Sequence, residues 1–302
     1  MRAGAITALG VIGDKRSVGP VIGALHDRDA VVRRAAAVSS GLLSNKTAII
    51  PLIGALKDSD WRVRQKSAMS SRLYGDKRAA QPMLALLKDT QPAVRHEAAV
   101  ALGALGDKSV VPALLRIMQA PNSTDKFGVK FFAADALGQL GDKRATPILI
   151  KGLKEKQPFV RSSAAYALGR LHEHSAVPAL IVALGDNHVL VRFESAQALG
   201  ELRAKEAVPA LSRKLLDPND HEDLHEQSAK ALGKIKDPRA VPALIESFKD
   251  PDEAIPKAAA LALGRIGDKR AIEPLRGLLH HKESVVRQAA EAALGMLGEK
   301  VR

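Results

Sequence analysis

The chain has 302 residues, 46% of them hydrophobic but only 3% aromatic, so any core is built mainly from alanine, leucine, valine and isoleucine. It has no cysteine, which excludes disulfides, thiolate metal sites and cysteine nucleophiles and fits a reducing, cytoplasmic location. The net charge of +13 is uneven: residues 1–100 carry 16 basic and 8 acidic side chains, 101–200 carry 12 and 8, and 201–302 carry 18 and 17. Attraction to acidic partners or a nucleic-acid backbone therefore belongs to the N-terminal third.

The opening stretch MRAGAITALGVIGDKRS is too short and broken in its apolar run for a secretory signal. No later stretch approaches the roughly 20 apolar residues of a membrane span, so no membrane partner is expected. Met1-Arg2 aligns with the Val-Arg that opens later helices. The start thus reads as the second helix of a hairpin whose first helix is missing, with Ile6, Leu9 and Ile12 on its partly exposed end. The preferred expectation is a fragment of a longer array; the other is that this end is a contact surface.

From there one unit recurs every 30 to 35 residues. The string ALG, or a near copy, places its glycine at Gly10, Gly41, Gly103, Gly138, Gly169, Gly200, Gly233, Gly264 and Gly295, with Arg72 in the remaining slot. A proline follows each slot but the last: Pro20, Pro51, Pro82, Pro112, Pro147, Pro178, Pro209, Pro242 and Pro274. Each unit has two apolar stripes of helical spacing. In the last complete unit, DKRAIEPLRGLL starts on Asp268, a natural N-cap, and Pro274 either bends this helix or delays its regular start. In VRQAAEAALGMLG the alanines permit close helix approach, and Gly298 sits where a helix end needs a left-handed residue, as do Gly13, Gly106 and Gly267. Two expansions interrupt the period, around 121–125 and at LDPNDHED (216–223). One hairpin cannot bury its own face, so the hairpins must stack.

This pattern resembles the HEAT-repeat family, specifically the short HEAT-like repeats of phycobilin lyase subunits, and does so over essentially the whole chain. The resemblance implies an all-α fold, a right-handed α–α superhelix of about nine helical hairpins, with residues 1–302 as one solenoid. It says little about function, because such solenoids serve many unrelated tasks. It also implies a structural ladder at the turns joining neighbouring units. Eight residues before the repeat glycine stand Arg2, Arg33, Arg95, Lys130, Arg161, Arg192, His225 and Arg287, with Arg64 at the same offset from Arg72 and Pro256 as the apolar exception. Six residues before these bases stand acids such as Asp27, Asp58, Asp89, Glu155 and Asp186.

Two histidine motifs invite a metal reading. HEDLH, residues 221–225, has the spacing of a zinc protease, but His225 is the local ladder base and His221 and Glu222 fall at a helix start. Asp220 reads as the cap there, with Glu222 and Asp223 at the positive end of the helix. No third ligand stands out. His96-Glu97 resembles the iron-binding pairs of deoxyhypusine hydroxylase, also a HEAT-like protein; His225-Glu226 is one position out of register with it. Neither motif is expected to hold zinc or iron. No cofactor is expected, and no phosphate loop, nucleophile elbow or acid–base pair appears, so the chain does not read as an enzyme.

Partner recognition is sought in the variable columns of the second helices, which in this family line the concave surface. Columns seven and three before the repeat glycine and one after it form one stripe. Its middle combines Met69, His96, Val100, Phe131, Tyr166 and Phe193 with Asp135, Arg170 and Gln197. Three of nine aromatics on one outward stripe resemble a binding hot spot; the alternative is that the phenylalanines fill space inside. The basic loops (Lys15-Arg16, Lys77-Arg78, Lys143-Arg144, Lys269-Arg270) read first as a solvated edge. In the N-terminal third they coincide with Arg34, Arg62 and Lys66, a candidate patch for an anionic partner, and DNA-glycosylase-like HEAT proteins are a precedent for DNA on a basic face. The expectation is a non-catalytic scaffold binding a protein or peptide, whose acidity the net charge favours. Nucleic-acid-backbone binding and a phycobilin-lyase-like subunit are the alternatives; the oligomeric state stays open.

Overall fold

The computed structural model describes residues 1–121 and 128–300, and their regular structure is wholly helical. The expansion expected at 121–125 lies, except for Pro121, outside the described residues. Contacts gather into two compact units, Met1–Ile148 and Leu149–Arg302.

In the first unit α1 (Arg2–Ile12) stands alone as a second helix. The hairpins that follow are α2 (Val18–Gly23) with α3 (Ala30–Leu43), α4 (Ile49–Ala55) with α5 (Trp61–Leu73), α6 (Ala80–Leu86) with α7 (Pro92–Leu105), and α8 (Val111–Gln119) with α9 (Val129–Leu140). Helix α10 (Thr146–Gly152) begins the next hairpin, completed by α11 (Pro158–Leu171). The second unit continues with α12 (Val177–Ala183) and α13 (Val189–Glu201), then α14 (Val208–Leu215) and α15 (Glu222–Ile235). It ends with α16 (Val241–Glu246) and α17 (Ala254–Ile266), then α18 (Ile272–Leu278) and α19 (Ser284–Met296). Among the described residues the paired helices form nine hairpins, as the repeat implies.

The Asp-Lys-Arg loops explain the short first helices. Each opens a three-residue 3-10 turn, and the aspartate caps that turn rather than the α-helix: Asp268 accepts from the Arg270 N–H at 2.9 Å and Asp76 from that of Arg78 at 2.9 Å. The proline then falls within the first three residues of the α-helix, where its missing N–H is no loss. Of the two readings of Pro274, the delayed start is the one realised, since α18 begins at Ile272 after the turn Lys269–Ala271.

The repeat glycine is a contact residue. A methyl group on Gly169 would lie 2.8 Å from the Ala198 Cα, and one on Gly233 2.8 Å from that of Ala262. Consecutive second helices thus meet backbone to small side chain, with no room for a Cβ. Arg72 breaks this rule and instead reaches across to Glu97 on α7, Nε to Oε1 3.4 Å. Leucines such as Leu102, Leu137 and Leu168 are fully buried between the helix layers.

The ladder forms, and it crosses between repeats. Arg33 forks onto Asp58, Nε and Nη2 at 2.6 and 2.8 Å, while its Nη1 donates to the Asp27 carbonyl oxygen at 2.9 Å. Arg64 treats Asp89 and the Asp58 carbonyl the same way, and Arg161 treats Asp186 and that of Glu155. Asp58, Asp89 and Asp186 therefore each hold the base of the preceding repeat with the carboxylate and that of their own repeat with the carbonyl oxygen. Burial alone would raise the Asp58 and Asp89 pKa values, but the bonds from Arg33 and Arg64, with the Asp60 and Gln91 N–H groups, outweigh it and hold both below the usual carboxylate range.

Candidate binding surface on the second helices

The expanded turn before α15 departs from its expected chemistry. Asp220 does not cap the helix. It is the ladder acid for Arg192, bonded at 3.0 Å from Nε, and it also takes Lys214 at 2.9 Å. The cap is His221, whose Nδ1 accepts from the Asp223 N–H at 3.2 Å. His225 acts as the ladder base, with Nε2 2.8 Å from the Asp217 carbonyl oxygen and Nδ1 3.8 Å from Asp250. Both histidines thus have local structural partners. At the other motif, Glu97 is held by Arg72. Among the described residues, no group of three or more His, Asp or Glu is placed to hold a metal ion.

In the first unit His96 is exposed, while Met69, Val100, Phe131 and Asp135 are half-buried. The Phe131 ring meets the buried Phe132 edge-on at 4.8 Å, and Asp135 accepts from Gln139 Nε2 at 3.1 Å. Phe131 is thus seated on the core while keeping an open side. Of the candidate anionic-partner patch, Arg34 and Lys66 share the wall of a pocket of about 260 Å³ with Thr7 and Val38. Arg62 stands apart, its guanidinium 4.7 Å over the Trp61 ring and 3.8 Å from Asp60.

In the second unit Tyr166, Arg170 and Gln197 come together around a pocket of about 320 Å³ with His172 and Glu201. The Arg170 guanidinium lies 5.8 Å from the Tyr166 ring centre, a cation–π distance. Phe193 is half-buried and not part of that wall. Beside it on α13, Glu194 has a buried Oε2 without a hydrogen-bond partner, and burial raises its pKa to about 7.

A larger pocket of about 790 Å³ shares His172 and Glu201 with the first and adds Arg203, Lys234, Lys236 and Arg265. Three of its lining residues, His172, Arg203 and Lys236, share a backbone pattern. Among the described residues, each of the ten second helices has a left-handed residue at or just beyond its end, three positions after the repeat slot. Six are glycines (Gly13, Gly75, Gly106, Gly141, Gly267 and Gly298), one is Ser44, and three consecutive ones are His172, Arg203 and Lys236, with φ of 51°, 50° and 58°. A side chain in this conformation costs roughly 1–2 kcal/mol. The signal was present in the sequence, as a glycine column interrupted by three basic residues in a row.

The repeat architecture decides the family. The model of HEAT repeats matches residues 1–72, 49–126, 80–169, 123–187, 158–224 and 213–295. The chain belongs to the HEAT-repeat family. Comparison with curated proteins returns no match. Among solved structures, this HEAT-repeat chain is similar to the complex of CpcE and CpcF of phycocyanin lyase from Nostoc sp. PCC7120, with 22% identity, a TM-score of 0.47, and coverage of 74% of this chain and 91% of that one. It is also similar to human deoxyhypusine hydroxylase, at 25% identity, TM-score 0.39, and coverage of 86% and 99%. A structure of Kap95p with RanGDP matches at 12% identity and TM-score 0.68, covering 98% of this chain and 48% of that one. No helix among the described residues is long and apolar enough to cross a membrane.

Proposed function

We propose that this HEAT-repeat chain is a non-catalytic scaffold that binds a protein or peptide on the outward stripe of its second helices. The observation that carries the reading is the convergence of Tyr166, Arg170 and Gln197 on one pocket, an aromatic face beside groups able to fix a partner's orientation. In the first unit Met69, Val100 and Phe131 supply half-buried apolar area of the kind that anchors a partner at low entropic cost, beside the exposed His96 and the half-buried Asp135. Affinity capture followed by a binding titration tests this. Tyr166→Ala and Arg170→Ala should each weaken the captured partner's affinity by tenfold or more at unchanged melting temperature. Unchanged affinity in both would remove the site.

A second reading has one specific observation behind it. Arg34 and Lys66 share a pocket in the first unit, whose residues 1–148 carry 22 basic and 12 acidic side chains. A nucleic-acid backbone would bind there with steep salt dependence and little sequence preference. Charge reversal at Arg34 and Lys66 should then abolish binding of generic DNA, while Lys234 and Arg265 should be dispensable for it. The phycobilin-lyase-like alternative rests on repeat type, and a shift in the absorbance of added tetrapyrrole would reveal it.

A further inference from the structure

The left-handed helix ends of the second unit form a feature the scaffold reading does not explain. Helix C-termini favour cations, but that preference needs no left-handed residue. Arg170, Lys234 and Arg265 already occupy the last turns of α11, α15 and α17 in ordinary helical conformation. Placing His172, Arg203 and Lys236 one step further, where most other repeats use glycine, adds strain without improving the turn. Their backbone N–H groups close the same bonds as elsewhere: His172 to the Gly169 carbonyl at 3.3 Å, Arg203 to that of Gly200 at 3.0 Å and Lys236 to that of Leu232 at 3.1 Å. Ser44 shows the same conformation singly, but three such residues in consecutive repeats, all basic, point to function.

The side chains support this. His172, Arg203, Lys236 and Arg265 are all exposed and have no ion-pair partner among the described residues. The Asp-Lys-Arg loops behave differently, since Arg78, Arg144 and Arg270 each sit 2.6–2.7 Å from their own loop aspartate. Within the pocket one carboxylate, Glu201, is present, and it is held by Lys234 at 2.6 Å. The wall therefore keeps three uncompensated permanent cations, Arg203, Lys236 and Arg265, with His172 as a further donor.

We infer that this row is a docking site for an acidic segment of a partner protein, which deepens the scaffold reading and rests on it. Charge complementarity identifies the occupant. The row is local, because residues 149–302 as a whole carry 24 basic and 21 acidic side chains. A nucleic-acid backbone would need a continuous basic track, whereas a short acidic peptide needs only this patch. The spacing agrees. Neighbouring helices pack about 8–10 Å apart, and a peptide in the polyproline-II conformation advances about 3.1 Å per residue with every third side chain on one face. Carboxylates at about every third position would meet one repeat each, and Tyr166 with Arg170 lies beside the His172 end of the row.

Glycine is the informative substitution, since it keeps the left-handed turn and removes only the side chain. The probe is a fluorescent peptide with glutamate at every third position, titrated by anisotropy against the full chain at about 50 mM salt, with a single-stranded oligonucleotide of equal length as the rival. The peptide should bind the wild-type chain more tightly than the oligonucleotide. The triple variant His172→Gly, Arg203→Gly, Lys236→Gly should bind it at least tenfold more weakly while melting no lower. Ser44→Gly, which relieves the same backbone without removing charge, should bind like wild type. No peptide binding by the wild-type chain, or full binding by the triple variant, would overturn the inference. So would an oligonucleotide that binds as tightly and is lost in the same variant. If the peptide fails while Tyr166→Ala still weakens partner capture, the docking site falls and the scaffold stands. If the triple variant loses the peptide while Tyr166→Ala and Arg170→Ala leave partner capture unchanged, the stripe falls and the docking site stands.

Discussion

Arg192 reaches its ladder acid, Asp220, 28 residues ahead, whereas Arg33, Arg64 and Arg161 each reach theirs 25 ahead. The expansion at 216–223 is looped out so that the pair is kept. The pair is well shielded, with side-chain exposures of 15% and 5%. Burial pushes the Asp220 carboxyl up, but Arg192, Lys214 and the His221 N–H more than reverse this and bring its pKa to about 2.

A depressed carboxylate contributes stability that is complete above its unfolded pKa and vanishes as pH falls through the folded value. Asp220→Asn should therefore cost about 2–3 kcal/mol at pH 7, with the gap from wild type closing between about pH 4 and pH 2. Urea titrations across that range measure it, and a gap independent of pH would contradict the ladder role.

Glu194 has the opposite sign. Its folded pKa, about 7, lies above its ordinary 4.5, so the stability of the protonated form is complete below pH 4.5 and is lost as pH rises through 7. Glu194→Gln should match wild type near pH 4 and exceed it at pH 8 by roughly 1–3 kcal/mol. Parallel stability curves for the two proteins would show that the carboxyl is solvated.

Glycines at the repeat slot should not be equivalent. A Cβ on Gly200 would sit 2.9 Å from the Ala231 Cα, while one on Gly295 would meet nothing within 4 Å. Gly200→Ala should destabilise by about 1–3 kcal/mol through forced helix separation, and Gly295→Ala should be neutral or stabilising by up to about 1 kcal/mol. Equal melting temperatures for the two variants would refute the contact role.

The periodicity of apolar residues carried the helices, because a hairpin that must bury two faces leaves a regular trace at each turn of helix. The ladder was legible through the repeated Arg and Asp columns, apart from Asp220. There an expanded turn changed the register, and a ladder acid looked like a cap because both roles favour aspartate before a helix. The repeat glycine was visible as a marker, but its reason lies in a contact between helices about thirty residues apart. His172, Arg203 and Lys236 were overlooked because their meaning comes from backbone conformation, which only a glycine elsewhere in the column betrays. Phe131 shows the remaining limit: an outward column places the ring, but the edge-on Phe132 beneath it comes from packing.

Binding through the stripe on the second helices is tested most directly by Phe131→Ala, Tyr166→Ala and Phe193→Ala, with melting temperature and partner affinity read on the same samples. Truncating exposed or half-open anchors should leave folding stability within about 0.5–1 kcal/mol, while each true anchor should cost binding about 2 kcal/mol. Partner affinity should fall at least tenfold with the melting temperature nearly unchanged. Strong destabilisation with unaltered affinity of the folded fraction would contradict it, because the rings would then be core and the partner would bind elsewhere.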